Sequence, residues 1–396
     1  MPEFYEFFAG GGMVRAGLGD GWRCAFANDF DHKKAEVYRE NWGLGCNLHE
    51  GDVREVKPAD LSGVADLAWA SFPCQDLSLA GGGAGLKGDR SGTFWPFWKL
   101  LGELIDEDRG PRLVVLENVC GTLSSHAGDD FKAIASAFSD AGYKFGAVVI
   151  DAALFVPQSR PRLFIIGMRD EERIPTELML GEPDKRFHTR GLRVAYDRLS
   201  RSAKENWVWW RLPTPGPRAH NLIDFIEAAP SDVPWHTTKE TEQLLGMMSS
   251  INREKVDAAV RSGHRMAGAI YKRTRRDERG EKVQRAEVRF DDLAGCLRTP
   301  AGGSSRQLII LVENGIVRSR LISGRESARL MGLDDDYELP ANRNEAYHLT
   351  GDGVAVPVVR FLAEHLFEPL LDAGDGTDAP SVPHPVAKPR QVSLSL

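Results

Sequence analysis

An α/β, doubly wound fold that carries a smaller, irregular basic module is predicted by three features of the sequence. Short apolar runs alternate with helix-like segments through about residue 170. The residues that carry chemistry, Gly10, Asp29, Asp52, Cys74 and Glu117, fall at the exits of those runs, where an open parallel sheet builds its ligand crevice. The periodicity then degrades over residues 184–300, which are basic, contain Trp207, Trp209, Trp210 and Trp235 and are interrupted by Pro213, Pro215 and Pro217.

Bulk properties bound the class. The chain has 396 residues, 42% hydrophobic and 27% charged, enough for one large domain and a smaller one without covalent staples. Its five cysteines, Cys24, Cys46, Cys74, Cys120 and Cys296, form no CxxC pair and no cluster with histidine at metal-ligand spacing. Neither a disulfide framework nor a zinc site is expected, and a reducing, cytoplasmic setting is. No basic-then-apolar leader is present, and no apolar run approaches the roughly 18 residues that span a bilayer, so export and membrane insertion are not expected. The net charge of −7 is unevenly spread: residues 185–290 hold about 22 Lys/Arg against about 13 Asp/Glu, near +9, which leaves about −16 for the remainder. A basic segment in an acidic protein is either a phosphate-facing surface or a solvated face.

Residues 3–8 form the first expected strand, and Ala9-Gly10-Gly11-Gly12-Met13 is a glycine-rich turn that opens a helix. Such a turn lets backbone amides approach a cofactor closely. It fits the dinucleotide fingerprint badly, because Arg15 stands where the third glycine is wanted, which makes a nicotinamide or flavin enzyme a poor second choice. A second strand over 24–27 runs into Asn28-Asp29-Phe30, an acid for ribose hydroxyls beside a flat face for adenine. The structural alternative is a helix cap with a core aromatic. Gly51-Asp52-Val53 repeats the pattern of an acid after a turn. The third strand, 67–72, stops at Pro73, so Cys74 sits just past a strand end, with Gly81, Gly82, Gly83, Gly85 and Gly88 following in a covering loop. Residues 113–116 are a buried strand followed at once by Glu117, a carboxylate in a place where solvated filler is not expected. A helix over 130–141 and strands near 147–150 and 163–166 follow. Between those strands, Gln158-Ser159-Arg160-Pro161-Arg162 sets two arginines on one side if extended. The most basic point of the chain is 271–276, and 300–307 is a polar loop. Residues 324–331 and 346–371 restore α/β character, and the remainder, rich in Pro, Gly, Asp and Ser, is expected to be a disordered tail.

Taken in order, these segments resemble the DNA (cytosine-5) methyltransferases of the bacterial and phage type. Phe8-Ala9-Gly10-Gly11-Gly12 is similar to the family's first cofactor motif and Phe72-Pro73-Cys74-Gln75 to its nucleophile motif. Gly88 to Phe94, Glu117-Asn118-Val119, Gln158-x-Arg160-x-Arg162, Arg325-Glu326 with Leu330-Met331-Gly332, and Gly351 to Val356 follow in family order. The resemblance implies a Rossmann-like S-adenosylmethionine-dependent methyltransferase domain over 1–183, a smaller irregular target-recognition domain over 184–319, a return to the catalytic domain over 320–371, and the tail from 372.

The chemistry explains the residue types. Cytosine C5 is a weak nucleophile until a thiolate adds to C6, the role implied for Cys74. Attack is helped by a carboxyl group of raised pKa at ring N3, implied for Glu117, with Arg162 on the base's O2 and Arg160 beside the nucleophile. The cofactor S-adenosylmethionine is implied to lie along Phe8, Gly10, Gly12, Asp29, Phe30, Asp52, Val53, Pro73 and Gly353. A base inside a duplex must be extruded to react. The DNA-facing residues implied are Gln75, Ser78, Arg273, Arg275, Arg298, Ser304, Ser305 and Arg306. Duplex DNA is the expected partner of a single acting copy, with a companion restriction endonuclease as an optional one.

Four departures from the family pattern stand out. Glu6 replaces the usual Asp, Met13 a common glycine, Asp352-Gly353 the usual Asn and small residue near the cofactor's amino-acid end, and Cys296-Leu297 the usual Thr-Leu. Two other readings keep the fold: a sequence-specific DNA-binding regulator without turnover, disfavoured because Cys74, Glu117 and both arginines occur together, and a tRNA methyltransferase, disfavoured by the size of the basic module.

Overall fold

The computed structural model describes residues 1–73, 93–276, 280–300 and 306–374. Cys74, Gln75, Ser78, Ser304 and Ser305, and the tail from residue 375, lie outside the described residues. Seven strands make one sheet: β1 (Glu3–Phe7), β2 (Arg23–Asp29), β3 (Leu48–Glu50), β4 (Leu67–Ala70), β5 (Leu113–Val119), β6 (Tyr143–Asp151) and β7 (Pro161–Arg169), in the order β3-β2-β1-β4-β5-β7-β6. All neighbours from β3 to β5 are parallel, and β7 runs antiparallel to both β5 and β6.

Both faces of this sheet are covered, which is why its strands read as near-continuous apolar runs. On β4, Leu67 and Trp69 enter one core layer and Ala68 and Ala70 the other; on β7, Phe164 and Ile166 alternate with Leu163 and Ile165. The first layer is closed by α1 (Met13–Leu18) and α2 (His32–Trp42), the second by α3 (Phe94–Asp106) and α4 (Asp129–Asp140). Spacing of apolar residues dictates the choice: in α3, Phe94, Phe97, Leu101 and Leu104 recur at helical intervals and are all buried.

Two strands differ from expectation. β3 was without an apolar run to announce it, being Leu-His-Glu at the sheet edge. β5 continues through Glu117 to Val119 because β7 pairs along its end, Val119 opposite Arg162, so Glu117 lies within the strand and not after it.

Residues 179–212 pack on the edge of this sheet. β8 (Met179–Leu180) pairs with β9 (Trp209–Trp210), α5 (Arg190–Asp197) and α6 (Arg201–Glu205) add Leu192 and Ala203 to the second layer, and Trp207 meets the Phe145 ring edge-on. The stretch beyond is more regular than its sequence suggests. Helices α7 (Thr238–Gly246) and α8 (Ser250–Ser262) cover one face of an antiparallel sheet of β10 (Met266–Arg276), β11 (Lys282–Arg289), β12 (Leu308–Glu313) and β13 (Ile316–Leu321). The β10–β11 ladder runs from Ala269 opposite Arg289 to Arg276 opposite Lys282. Past Ile270 its alternation is hidden, because the outer part of the ribbon is polar on both faces.

The second sheet is joined to the first by a buried ion pair. Arg320, near the end of β13, binds Glu326 of α9 (Gly324–Arg329) through two contacts of 2.6 and 2.7 Å, and both side chains are fully buried. The Glu326 oxygens also accept the Glu227 and Ser323 amides at 2.7 Å, and Arg320 donates to the Glu227 carbonyl at 2.8 Å and lies over the Trp235 ring. The chain then returns through α10 (Arg343–Asp352), α11 (Val356–Leu362) and α12 (Glu368–Gly374) to the first core layer, where Val358, Val359 and Leu370 join Val14 and Leu18 of α1.

Removing one partner of such a pair leaves an uncompensated buried charge. Arg320→Met is expected to lower unfolding free energy by about 3–5 kcal/mol, and adding Glu326→Leu to recover most of that loss. Urea melts of the three proteins check it; equal losses in both variants would contradict the role given to the pair.

Candidate active site

The turn after β1 is built by a carboxylate from the next strand. Asp29, buried at the end of β2, accepts the Gly10 amide on one oxygen at 2.7 Å and the Asp31 amide on the other at 2.8 Å. Burial raises its pKa, and Lys34 acts against that rise. Each carboxylate oxygen keeps a further lone pair for a ligand hydroxyl. The Gly11 carbonyl accepts the Tyr337 hydroxyl at 2.7 Å and the Trp42 indole at 3.2 Å, two partners that sequence reasoning missed because nothing local signals them. Gly12 has φ 80°, the left-handed region, and a Cβ there would collide with Trp42. A Cβ on Gly353 would collide with Met13, so the methionine fills the room that the glycine leaves.

Beside the turn, Phe30 is 71% exposed, which removes the core-aromatic alternative and leaves a free ring face. Asp31 takes the cap instead, accepting the Lys33 amide at 3.0 Å. Asn28 donates to the Gly51 carbonyl at 2.9 Å and thereby draws Asp52 and Val53 to the same sheet end. Asp52 accepts the Arg54 amide at 2.9 Å, and Val53 is buried. Phe8 holds a positive φ of 58° at the strand exit. Beneath the turn, Glu6 is fully buried, with its Oε2 accepting the Tyr38 hydroxyl at 3.3 Å and its Oε1 without a partner. Burial pushes its pKa up to about 8.

The second half of the site forms where β5, β7 and the returning chain meet. Glu117 and Arg162 share a sheet face as diagonal neighbours, and Arg162 Nε lies 3.1 Å from Glu117 Oε1. Burial raises the Glu117 pKa, while Arg162, then Arg160, and a hydrogen bond with Ser71 pull it down; the net direction is up. Asn118 faces the other way and donates to the Phe72 carbonyl at 3.1 Å, tying the β5 end to the segment that leads to Pro73.

Arg160 differs from its sequence-based expectation. Its guanidinium is buried and donates to the carbonyls of Leu297 at 2.9 Å, Gly351 at 2.8 Å and Gly353 at 2.7 Å. Burial, then Arg162, lowers its pKa to about 10, which still leaves it charged at neutral pH. Gln158 works in the same way, donating to the Leu330 carbonyl at 2.7 Å and accepting the Leu297 amide at 3.1 Å. Cys296 lies 3.5 Å from Arg160 Nη1 and 3.9 Å from both terminal nitrogens of Arg162. Burial pushes its thiol up, but the two guanidiniums outweigh it and the net direction is down.

Among the expected DNA-facing residues, Arg273 and Arg275 stand exposed on β10, each paired with Glu287, at 3.4 and 2.6 Å. Arg298 is exposed beside the site, and Arg306 is half-buried at the start of β12's approach. No helix among the described residues is long and apolar enough to cross a membrane, and no group of three or more metal-ligating side chains is found among them.

The model of the C-5 cytosine-specific DNA methylase family matches residues 3–368. Among curated proteins, the Type II methyltransferase M.NlaX of Neisseria lactamica is 26% identical over 379 residues, covering 95% of this chain and 99% of that protein. M.HhaI of Haemophilus parahaemolyticus is 23% identical over 368 residues, covering 92% and 94%. Among solved structures, a prophage-encoded putative DNA modification methyltransferase of E. coli superposes with a TM-score of 0.54 at 16% identity, over 94% of this chain and 100% of that one. The S. pombe Dnmt2 methyltransferase gives 0.53 at 17%, over 93% and 99%. At these identities the structures show the likeness of fold alone.

The buried Glu6 makes stability depend on pH. Its carboxyl is protonated in the folded chain up to about pH 8 but ionises near 4.5 when unfolded. Between those values the folded state holds a proton that the unfolded one has lost, so stability falls as pH rises, by up to about 1.4 kcal/mol per unit. Denaturant melts between pH 5 and 8 should show a shallower fall for Glu6→Gln; parallel slopes would refute the assignment.

Proposed function

The chain belongs to the C-5 cytosine-specific DNA methylase family, and from that premise we propose how its own residues carry out the reaction. It is a DNA cytosine-5 methyltransferase, with relatives named as Type II methyltransferases over nearly its whole length. The observation that carries the residue assignment is the buried Glu117–Arg162 pair, 3.1 Å apart and one hydrogen bond away from the segment that enters Pro73-Cys74.

In this reading the extruded cytosine meets Glu117 at N3. A carboxyl whose pKa is raised by burial can donate a hydrogen bond there, drawing electron density from the ring as the Cys74 thiolate adds to C6. Arg162, held in place by Glu117, presents its guanidinium to the base's O2, where negative charge builds as the thiolate adds. Arg160 acts through others: by binding the Leu297, Gly351 and Gly353 carbonyls it fixes the walls of the base and cofactor sites, a positioning role in place of contact with the reacting atoms. Asn118 positions the entry to Cys74 in the same sense.

The cofactor is S-adenosylmethionine, the family's methyl donor, and the residues present fit it. Gly12 and Gly353 leave space that a Cβ would fill, Phe30 offers an exposed ring face to adenine, and Asp29 and Asp52 offer acids to hydroxyls. Bound there, it supplies an electrophilic methyl group. Deprotonation of C5 then expels the Cys74 thiolate and restores the aromatic ring. We assign sequence reading to residues 184–319, with Arg273, Arg275, Arg298 and Arg306 as anchors on phosphate. The remaining parts of the proposal are a single acting copy in the cytoplasm and a companion restriction endonuclease, the partner that Type II relatives suggest.

Bisulfite sequencing of DNA from cells expressing the protein should reveal methylated cytosine within one recurring sequence. Purified protein should transfer labelled methyl groups to duplex DNA and not to tRNA. Cys74→Ala should abolish transfer while leaving DNA binding intact, and Glu117→Gln should lower kcat by roughly 10²–10⁴. Undiminished transfer in Cys74→Ala would sink the mechanism.

A further inference from the structure

Two charges near the cofactor turn sit where their own helices disfavour them. Lys34 is in the first turn of α2, at the positive end of that helix, and Asp352 is the last residue of α10, at the negative end. They face each other across the gap between the helices, with Lys34 Nζ 2.7 Å from Asp352 Oδ2 and the Thr299 hydroxyl 3.3 Å from Oδ1. The lysine side chain is 18% exposed and the aspartate 41%, so the pair is open on one side. A cleft of about 380 Å³ adjoins it, lined by Asp31, Lys33, Lys34, His348 and Leu349 among others.

The pair is continuous with the turn. Asp352 precedes Gly353, whose α-carbon is packed by Met13, and the Lys34 ammonium is close enough to Asp29 to stabilise the carboxylate that holds Gly10. Phe30 and Asp52 provide for the adenosine part of the cofactor, which leaves its charged end to the turn and to Gly353. That end is a zwitterion, an ammonium and a carboxylate on one carbon, and an ion pair of the same span is its electrostatic complement.

Resting on the cofactor assignment above, we propose that Lys34 and Asp352 bind the amino-acid end of S-adenosylmethionine, Lys34 taking the α-carboxylate and Asp352 the α-ammonium. A lone carboxylate at Asp352 would attract the ammonium but repel the carboxylate beside it. Lys34 removes that conflict. The covalent link to adenosine fixes which way round the zwitterion lies, so the order of the two charges matters and not only their presence.

Calorimetry on the full chain separates this role from a merely structural one. The probes are S-adenosylhomocysteine, which has both charged groups, and 5′-methylthioadenosine, which lacks the amino-acid end. The neutral variant Lys34→Met with Asp352→Asn, and the exchanged variant Lys34→Asp with Asp352→Lys, are each expected to weaken S-adenosylhomocysteine about tenfold or more and 5′-methylthioadenosine by less than about twofold. The exchanged variant keeps an ion pair and should melt near the native temperature. The proposal is overturned if both probes weaken in parallel, or if S-adenosylhomocysteine binding stays within about twofold of native in both variants. Native protein that binds neither probe would overturn the cofactor assignment itself, and this proposal with it.

Discussion

A guanidinium buried among backbone carbonyls holds the site in one piece. Desolvating such a charge costs several kcal/mol in real proteins, and Arg160 recovers this through bonds to Leu297, Gly351 and Gly353, with the Glu117 and Asp352 carboxylates acting on it from farther off. The residues it joins come from three parts of the chain: the strand entry before β7, the end of the stretch that carries the second sheet, and the end of α10. Gln158, two residues earlier and on the same side, repeats the device between Leu297 and Leu330. Arg162, two residues later, completes the series with Glu117. A period of two along one extended stretch thus turns neighbouring side chains into three tie-points, and the walls of the pocket are set by them.

The electrostatics of the two halves differ in kind. Around the turn, carboxylates are kept for backbone amides: Asp29 braces Gly10, Asp31 caps α2, and Asp52 caps the turn after it. Near β5, a carboxylate is set against two arginines, and a thiol shares them. Glu117 there is under opposed influences, burial favouring its proton and Arg162 its charge. A group balanced in this way changes its state with small movements of a neighbour, which suits a residue that must hold a proton in one step and tolerate charge in another.

Much of the fold was legible because burial on both faces leaves a plain mark. The runs 67–72 and 113–116 could be nothing but buried segments, and a carboxylate directly after the second drew attention to Glu117. The short strand β3 and the ladder β10–β11 left no such mark, one because it has a single apolar residue, the other because its outer part is polar on both sides. Partner choice was the least legible property. Tyr337 reaches Gly11 across 326 residues, and Lys34 reaches Asp352 across 318. Neither pairing has a local signature. Arg160 was recognised as important for the right residue type and the wrong reason, since an extended stretch tells which side a guanidinium points to but not that carbonyls wait there.

The return of the chain to its own beginning has a consequence in time. The turn at Gly10–Gly12 leaves the ribosome first, while Tyr337, Asp352 and Gly353, which complete its surroundings, emerge more than 300 residues later. At usual rates of synthesis, roughly 5–20 residues per second, that interval is tens of seconds. During it the first strands can pair, but the methyl-donor site lacks a wall. A nascent or prematurely ended chain is therefore silent towards DNA, and modification begins only with molecules whose later segments have closed over the first.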